Sequence, residues 1–370
     1  MRQTYARVDL AAYRANIQAV RKAIGPGVRL MAVVKANAYG HGQMEIALAA
    51  QEEKADMLAV ALAEEGIALR RGGVTLPILV LSGLSRMGSL DAARNHLTLT
   101  VHTPEHLQSA KAAAIAAGYS LPVHIKLDTG MNRIGVKDEH ELKELLSALE
   151  TIKELRLSGA YTHFASADSP DPAMTDRQLA RFEAFRRLLP KDILVHASGS
   201  SALLNRPDAR LSMVRAGIAL YGYSPVETAV SLRPVLSWYA EITHVKTIQA
   251  GETVSYGATM TAQQPMRVAT LAVGYGEGYN RLLSNRGWVL INGCRCAVLG
   301  RVCMDQTMVD VTLAGPVEVG GQAVLIGRDG SEAVSAQDLA DLTGTIPYEV
   351  LLSISARVPR VYLEYERGVD

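Results

Sequence analysis

The chain has few cysteines, no excess of either charge and no long apolar run, and each absence excludes a class of protein. Its cysteines are Cys294, Cys296 and Cys303. An odd number without a C-x-x-C pair or a matching histidine spacing predicts reduced thiols in the core, not a disulfide framework or a zinc site. We therefore expect no metal ion.

Charge and hydropathy narrow the class further. Lys plus Arg number 38 and Asp plus Glu number 37, which leaves a net charge of +1 and no general attraction to nucleic acid or an anionic membrane. No apolar run approaches the roughly 18 residues of a membrane span, and the N-terminal MRQTYARVDL lacks the apolar core of a signal peptide. We expect a cytoplasmic globular protein. The 370 residues, 48% of them hydrophobic, can bury a large core, and this length favours two domains.

From residue 28 to about 230, short apolar runs alternate with segments of helical period. Eight runs are predicted strands: 30–34, 57–61, 77–81, 97–101, 122–127, 156–162, 192–196 and 211–214. Helices are predicted between them, for example at 42–54, 103–117, 139–150 and 174–189. Strict alternation indicates a parallel sheet covered by helices, and eight units favour a closed (β/α)8 barrel over an open doubly wound sheet.

After Leu232 the pattern changes. Runs such as WYAEITHVKTI, MRVATLAVG and GWVLING are separated by turns instead of long helices, which predicts a second, mostly antiparallel β domain. Helical patterns return at 335–342 and 347–353. The predicted domains are therefore a barrel over residues 1–232 and a β domain over residues 233–370.

Polar residues follow the predicted barrel strands at their carboxyl ends, where barrels of this kind gather their chemistry. We expect them to converge on one rim. They are Lys35, Lys126, Asp128, His163, His196, Ser198, Ser200, Arg215 and Gly217.

Lys35 is the most informative of these residues, because it ends the apolar run in LMAVVKANAYGHG. Burying a charged amine costs free energy, so an amine at a dry strand end is more readily neutral and nucleophilic toward an aldehyde. The loops after predicted strands seven and eight offer Ser200 and the backbone around Gly217 and Ile218 for a phosphate. An aldehyde and a phosphate in one molecule describe pyridoxal 5′-phosphate, which withdraws electrons from amino-acid substrates.

Several ordered motifs resemble one family. KANAYGHG, HIKLDTGMNRIG, HFASAD, VRAGIALYGYSP, VSYGATM, VGYGEGY, GRVCMDQTMVD and YEVLLSISARVPRVY are similar to those of alanine racemase, a pyridoxal-phosphate barrel enzyme with a C-terminal β domain. The resemblance runs from about residue 4 to residue 362. It implies an isomerase that interconverts L- and D-alanine and supplies D-alanine for bacterial peptidoglycan.

The resemblance also implies a two-base mechanism, since a proton must be returned to either face of a planar carbanion. Lys35 would serve the D face and Tyr256 the L face. Tyr256 would come from the partner subunit, so a homodimer with shared active sites is expected. A phenol is a poor base at neutral pH unless a charge or donor stabilises its anion. The family pattern places His163, hydrogen-bonded toward Arg215, beside it.

Further roles follow by motif. Arg215 would face the pyridine nitrogen of the cofactor, where a cation disfavours ring protonation. Arg133 would contact the substrate carboxylate through its guanidinium fork. Lys126 is implied to be carbamylated, which would relieve its repulsion from Arg133, although a lysine paired with a carboxylate is the alternative. The remaining implied contacts are Tyr39, Ser200, Gly217, Ile218 and Tyr348 for the phosphate, and Met304, Asp305 and Tyr275 for the substrate pocket and its entrance.

One position departs from the family pattern, which usually has Asn where this chain has Gly199, and this leaves the phosphate-contacting serine open between Ser200 and Ser201. Tyr348 favours alanine over serine, because serine-preferring relatives tend to lose this tyrosine. A serine-preferring racemase remains an alternative.

Three other functions would require different residues. A barrel-type pyridoxal decarboxylase would carry an acid and a cysteine in place of Arg215 and Tyr256. A non-catalytic pyridoxal-phosphate carrier would need only the first 230 residues. A nucleotide oxidoreductase is disfavoured, because Tyr279 occupies the third glycine position of VGYGEGY and no β-α-β unit encloses it.

Overall fold

The computed structural model describes residues 4–363, which form two compact units. The barrel unit contains residues 12–38 and 42–233. The β unit contains the described residues before position 12, Tyr39–His41, and the described residues from position 234 onward. This division differs from the predicted single boundary after residue 232. The first strand, β1 (Tyr5–Asp9), pairs with two strands of the β unit, at Leu236–Ile248 and Arg360–Leu363, and so belongs to that unit.

The barrel unit is built on eight parallel strands. All eight predicted strands are present, each within two residues of its predicted ends. They are β2 (Arg29–Val33), β3 (Met57–Val60), β4 (Ile78–Gly83), β5 (Thr98–Val101), β6 (Leu121–Lys126), β7 (Leu155–Tyr161), β8 (Leu194–His196) and β9 (Met213–Ala216).

The strands follow one another around the sheet in chain order, and β9 lies beside β2. Between β8 and β9 the backbone N–H groups of Ser212 and Arg215 donate to the carbonyl oxygens of Val195 and Ser198, at 3.2 and 2.9 Å. The ring of strands is thereby closed into a barrel. Because side chains alternate along a strand, His124 and Lys126 of β6 share one face.

Helices cover the barrel strands, as their apolar periodicity predicts. Three of them begin at side chains that accept a backbone N–H: Ser85, Thr103 and Asp138. The first of these helices starts two residues before the barrel unit. The helices are α1 (Leu10–Ile24), α2 (Gln43–Glu52), α3 (Ala63–Arg71), α4 (Arg86–Arg94), α5 (Pro104–Ala117), α6 (Glu139–Glu150), α7 (Ala173–Arg186) and α8 (Ser200–Asn205).

The β unit is mostly antiparallel, as predicted. Its remaining strands are β10 (Leu236–Ile248), β11 (Thr253–Val254), β12 (Met260–Thr261), β13 (Met266–Leu271), β14 (Trp288–Ile291), β15 (Cys294–Leu299), β16 (Thr307–Asp310), β17 (Gln322–Asp329), β18 (Glu332–Val334) and β19 (Arg360–Leu363). The long strand β10 pairs with both β13 and β17, so six antiparallel strands close into a ring.

Two helices complete the β unit, α9 (Ala336–Thr343) and α10 (Pro347–Ser353). Ser335 and Asp338 form a capping box at the start of α9, and Pro347 occupies the first turn of α10. Both helices lie where the sequence predicts them. Within residues 4–363, no helix combines the length and apolarity that crossing a bilayer requires.

Candidate active site

Lys35 follows β2 by two residues and is half-buried. Burial lowers the pKa of its amine, and the nearby cations Arg133 and Arg215 lower it further, whereas Glu65 raises it. Glu65 also fixes the backbone here, because one carboxylate oxygen accepts the N–H of Ala36 at 2.6 Å. The amine predicted to be a nucleophile therefore has the shifted pKa that this chemistry needs.

The residues after Lys35 form a left-handed turn. Ala36, Asn37 and Ala38 all have φ of 51°, and Tyr39 has φ of 54°. This conformation costs about 1–2 kcal/mol per residue for L-amino acids, so other contacts must hold it. Inside the barrel unit, Ala38 N–H donates to Val34 O at 3.1 Å, and Asn37 Oδ1 accepts the N–H of Gln43 at 2.9 Å.

Arg215 is the centre of the polar network inside the barrel. Its Nη1 donates to His196 Nδ1 at 2.8 Å, and its Nη2 donates to His163 Nδ1 at 2.9 Å. Backbone carbonyls of Thr162 and Ala197 accept from Nη2 at 2.8 Å. The predicted contact between His163 and Arg215 is present. Burial lowers the pKa of Arg215 to about 10, so the guanidinium stays charged at neutral pH.

These contacts fix the protonation of both histidines. A guanidinium can only donate, so Nδ1 of His163 and Nδ1 of His196 must both be unprotonated acceptors. Burial and the charge of Arg215 lower the pKa of His163 to about 3, and they lower that of His196 as well. Both rings are therefore neutral, with their proton on Nε2.

Tyr161 supports the same network from β7. Its ring stacks on His196 with centroids 4.8 Å apart, and the Arg215 guanidinium carbon lies 5.3 Å from the ring centroid. Its hydroxyl donates to Leu81 O at 3.0 Å and is 3.0 Å from Thr100 Oγ1. Burial raises the pKa of Tyr161 to about 12, so it remains a neutral phenol. Its role is to hold Arg215 and His196 in place.

Lys126 and Asp128 shape the loop that carries Arg133. Lys126 Nζ donates to Leu127 O at 2.7 Å and Ile134 O at 3.2 Å, and Asp128 Oδ1 accepts two backbone N–H groups of the loop at 3.0 Å. Burial and the charges of Arg215 and Arg133 lower the pKa of Lys126 to about 8, whereas the carboxylate of Asp128 acts to raise it. Arg133 itself is exposed at this rim.

Ser200 joins the loops after β8 and β9. Its Oγ accepts the N–H of Gly217 at 3.0 Å and that of Ala219 at 3.3 Å. This contact identifies Ser200, not Ser201, as the serine that faces Gly217. At Gly199 an added Cβ would lie 3.1 Å from His163 Cε1, so the glycine leaves room beside that ring.

Four predicted residues belong to the β unit. Tyr256, Tyr275 and Met304 are exposed by 69%, 43% and 53%. The backbone N–H of Tyr275 donates a hydrogen bond to the carbonyl oxygen of Cys303, so Tyr275 lies beside Met304. Asp305 pairs with Arg357 at 2.8 Å. The same Arg357 pairs at 3.2 Å with Glu277, which is fully buried.

Tyr39 and Tyr348 also lie together within the β unit, with ring centroids 5.9 Å apart. Burial raises the pKa of Tyr39, so its hydroxyl keeps its proton. The chain enters this unit at Tyr39 and leaves it after His41. At Gly40 an added Cβ would be 2.5 Å from Leu351 O, and φ is 83°, so only glycine fits there.

The structure thus brings the predicted residues into two groups. Lys35, Lys126, Arg133, His163, Ser200, Arg215, Gly217 and Ile218 belong to the barrel unit, and Tyr39, Tyr256, Tyr275, Met304, Asp305 and Tyr348 belong to the β unit. The sequence did not single out Glu65, His124 or Glu277. A glutamate in the first turn of a helix and a histidine in an apolar strand look ordinary, so spacing offered no signal for them.

Two family models match the chain. "Alanine racemase, N-terminal domain" matches residues 8–225, and "Alanine racemase, C-terminal domain" matches residues 235–362. Together they span both units.

Known proteins are similar over the whole chain. The alanine racemase of Symbiobacterium thermophilum is 44% identical over 369 residues, which cover 98% of this chain and 97% of the relative. That of Geobacillus stearothermophilus is 41% identical, covering 100% and 96%. The crystal structure of alanine racemase from Bacillus anthracis with bound L-Ala-P has a TM-score of 0.92 at 37% identity, covering 100% of this chain and 97% of that one.

Proposed function

The chain belongs to the alanine racemase family, and from this membership we propose that it interconverts L- and D-alanine with pyridoxal 5′-phosphate bound at the barrel rim. The observation that carries the proposal is the state of Lys35. Its amine is half-buried, and burial together with the charges of Arg133 and Arg215 lowers its pKa. The product, D-alanine, is a building block of bacterial peptidoglycan.

The donors at the rim fit pyridoxal phosphate. Lys35 offers an amine for the aldehyde, and Ser200 with the backbone of Gly217 offers polar groups of the kind that hold phosphates after the last strands of such barrels. We assign Ile218, Tyr39 and Tyr348 to the same phosphate by family motif. When bound, the cofactor supplies an electron-withdrawing ring that stabilises negative charge at the α carbon of the amino acid.

Two side chains exchange the α proton. Lys35 Nζ takes or returns it on the D face, which requires a neutral amine, and the depressed pKa of Lys35 favours that form. Tyr256 Oη does the same on the L face. Because Tyr256 is exposed on the β unit, we propose that it completes the site of a partner subunit in a homodimer. Met304, Asp305 and Tyr275 accompany it to the same site.

Arg215 sets the electronic character of the site. We propose that it faces the pyridine nitrogen, where its charge disfavours protonation of the ring. Its two terminal nitrogens are fully engaged by His163, His196 and backbone carbonyls, so the side chain cannot swing away. His163, neutral and with its proton on Nε2, can donate to the partner's phenolate. The geometry thus favours proton exchange over side reactions.

The substrate carboxylate is held by Arg133. The guanidinium is exposed at the rim and pairs with a carboxylate through two parallel N–H bonds. We propose that Lys126 carries a carbamate, which would convert a repulsive neighbour of Arg133 into an attractive one and orient its fork. The turn formed by Asp128 keeps the loop in place.

The direct test is proton exchange in deuterated water. Purified, cofactor-loaded protein is incubated with L-alanine, and the α-hydrogen signal and the optical rotation are followed together. We expect the α proton to be lost while the rotation falls to zero. Exchange without inversion would contradict a racemase, and release of carbon dioxide would identify a decarboxylase. A parallel incubation with L-serine separates the two substrate preferences.

A further inference from the structure

A hydrogen-bonded column runs through the interior of the barrel and ends at a residue that the reaction does not otherwise involve. Arg215 Nη1 bonds His196 Nδ1 at 2.8 Å, and His196 Nε2 lies 3.0 Å from Nδ1 of His124. All three residues are at least 96% buried. The two histidine rings are 5.2 Å apart between centroids.

The direction of each bond in this column is determined by chemistry. Arg215 can only donate, so His196 Nδ1 accepts and the His196 proton lies on Nε2. That N–H must then donate to His124 Nδ1, which leaves the proton of neutral His124 on Nε2. Burial, Arg215 and Arg156 lower the pKa of His124 to about 3, so a charged ring, which could not accept, is not formed near neutral pH.

The barrel makes specific room for His124. The residue opposite it in the register of β6 and β7 is Gly159. A Cβ at Gly159 would lie 2.6 Å from both Cε1 and Nε2 of the His124 ring, closer than side chains approach one another. The imidazole therefore occupies space that only glycine at position 159 leaves open.

The far end of the column reaches a cavity at the amino-terminal ends of the strands. This cavity has a volume of about 600 Å³, and His124 lines it together with Thr98, Pro122 and Arg156. Within residues 4–363, the imidazole ring of His124 makes no other hydrogen bond than that to His196. Its Nε2–H can thus be solvated from the cavity while Nδ1 faces the column, so the ring has no reason to flip.

We propose that His124 is a positioning residue for racemisation: by accepting the Nε2–H of His196, it fixes the ring that anchors Arg215. The proposal rests on the function proposed above, because the part of Arg215 in the reaction is assigned there. It adds a residue that lines the cavity at the amino-terminal ends of the strands, away from the rim that carries the reacting groups. Removing the acceptor would leave the buried N–H of His196 unpaired, and the ring would turn or shift to satisfy it.

Two variants separate hydrogen bonding from packing. In His124→Asn the amide oxygen stands close to where Nδ1 was and can still accept, whereas His124→Leu fills the space with no acceptor. Thr98→Val is the matched control, because Thr98 is buried at the same cavity but takes no part in the column. We expect His124→Leu to lower kcat on the order of tenfold with little change in KM, and the Asn and Val variants to stay within about threefold of the unaltered enzyme.

Nitrogen NMR of the holoenzyme with 15N-labelled histidine tests the column without turnover. We expect His196 and His124 both to be neutral with the proton on Nε2, and the His196 signal to shift in His124→Leu but not in Thr98→Val. A proton on Nδ1 of His196, or equal losses of kcat in the Asn and Leu variants, would overturn the proposal. Unaltered kcat in His124→Leu would do the same. If the proposed function itself were wrong, the result would be different. The unaltered protein would show both ring protons on Nε2 but would not racemise alanine.

Discussion

At the residue scale, burial and mutual repulsion weaken the hold of the cationic side chains on their protons. Desolvation is the largest cause for Lys35, Lys126 and Arg215, and Arg133 lowers the pKa of all three. A site of this kind increases the neutral fraction of its amines and attracts anions. Both properties suit an enzyme that binds a phosphate and a carboxylate and moves a proton with an amine.

Lys126 should react with carbon dioxide, and more so as pH rises. Its pKa is lowered to about 8, so the neutral amine, which is the nucleophile, becomes abundant as pH increases through that value. Attack on carbon dioxide forms an N–C bond and releases a proton, which leaves a carbamate anion. With 13C-labelled bicarbonate, 13C NMR should show a carbamate signal that grows from pH 7 toward pH 9. The signal should vanish in Lys126→Ala, and a signal that persists there would contradict the assignment.

Tyr256 should be needed for one face of the substrate only. Tyr256→Phe removes the hydroxyl and keeps the ring, so cofactor absorbance should be retained. Exchange of the α proton of L-alanine in deuterated water should fall by at least about 100-fold, in the range typical of general acid–base catalysis, while that of D-alanine, served by Lys35, should fall much less. A non-catalytic carrier would be indifferent to the substitution. Tyr5→Phe, which removes a half-buried phenol of the same unit with no proposed role, is the control.

At the scale of elements, the left-handed turn after β2 stores strain that can be measured. Ala36 has φ of 51°, a conformation that glycine adopts without a steric penalty. We expect Ala36→Gly to stabilise the cofactor-free protein by about 1 kcal/mol, the relief of strain less the entropy cost of glycine. Ala112→Gly, inside the right-handed helix α5, should instead cost about 1 kcal/mol. Urea unfolding of both variants checks the opposite signs, and equal signs would contradict the strain.

The same turn is tied to the next βα loop by Glu65. Its carboxylate accepts the N–H of Ala36 at 2.6 Å with one oxygen, and those of Ala61 and Leu62 at 2.8 and 3.1 Å with the other. Glu65→Ala should destabilise the protein by about 1–3 kcal/mol and weaken cofactor binding, because Lys35 loses its support. Glu64→Ala is the matched control, and it should change unfolding by less than about 0.5 kcal/mol. Equal effects of the two variants in denaturant unfolding would show that Glu65 is an ordinary helix residue.

Some of these elements could be predicted from the sequence, and others could not. Barrel strands such as β3 were predictable because they are continuous apolar runs buried on both faces. The left-handed turn was not, since Ala36, Asn37 and Ala38 carry no glycine signal and only surrounding contacts hold them there. The placement of β1 in the β unit was also hidden, because its pairing with β10 and β19 depends on residues more than 200 positions away.

At the scale of the whole molecule, the predicted site residues are divided between two units of one chain. The barrel unit carries Lys35 and the β unit carries Tyr256, which is exposed by 69%. The family resemblance assigned Tyr256 to the active site of a partner subunit. The composition of a single chain could not have shown this. The assignment therefore needs a test in which the two residues come from different chains.

Complementation between two inactive variants provides that test. Lys35→Ala and Tyr256→Phe each damage both sites of a homodimer. If sites are shared, a mixed dimer contains one site with both residues intact and one with neither. Random pairing after co-refolding yields mixed dimers in half of the molecules, so about one quarter of normal activity should return. Lys35→Ala refolded with the double variant Lys35→Ala/Tyr256→Phe is the control and should recover none. If the mixture of single variants does no better than that control, each site draws both residues from one chain, and the shared-site proposal fails.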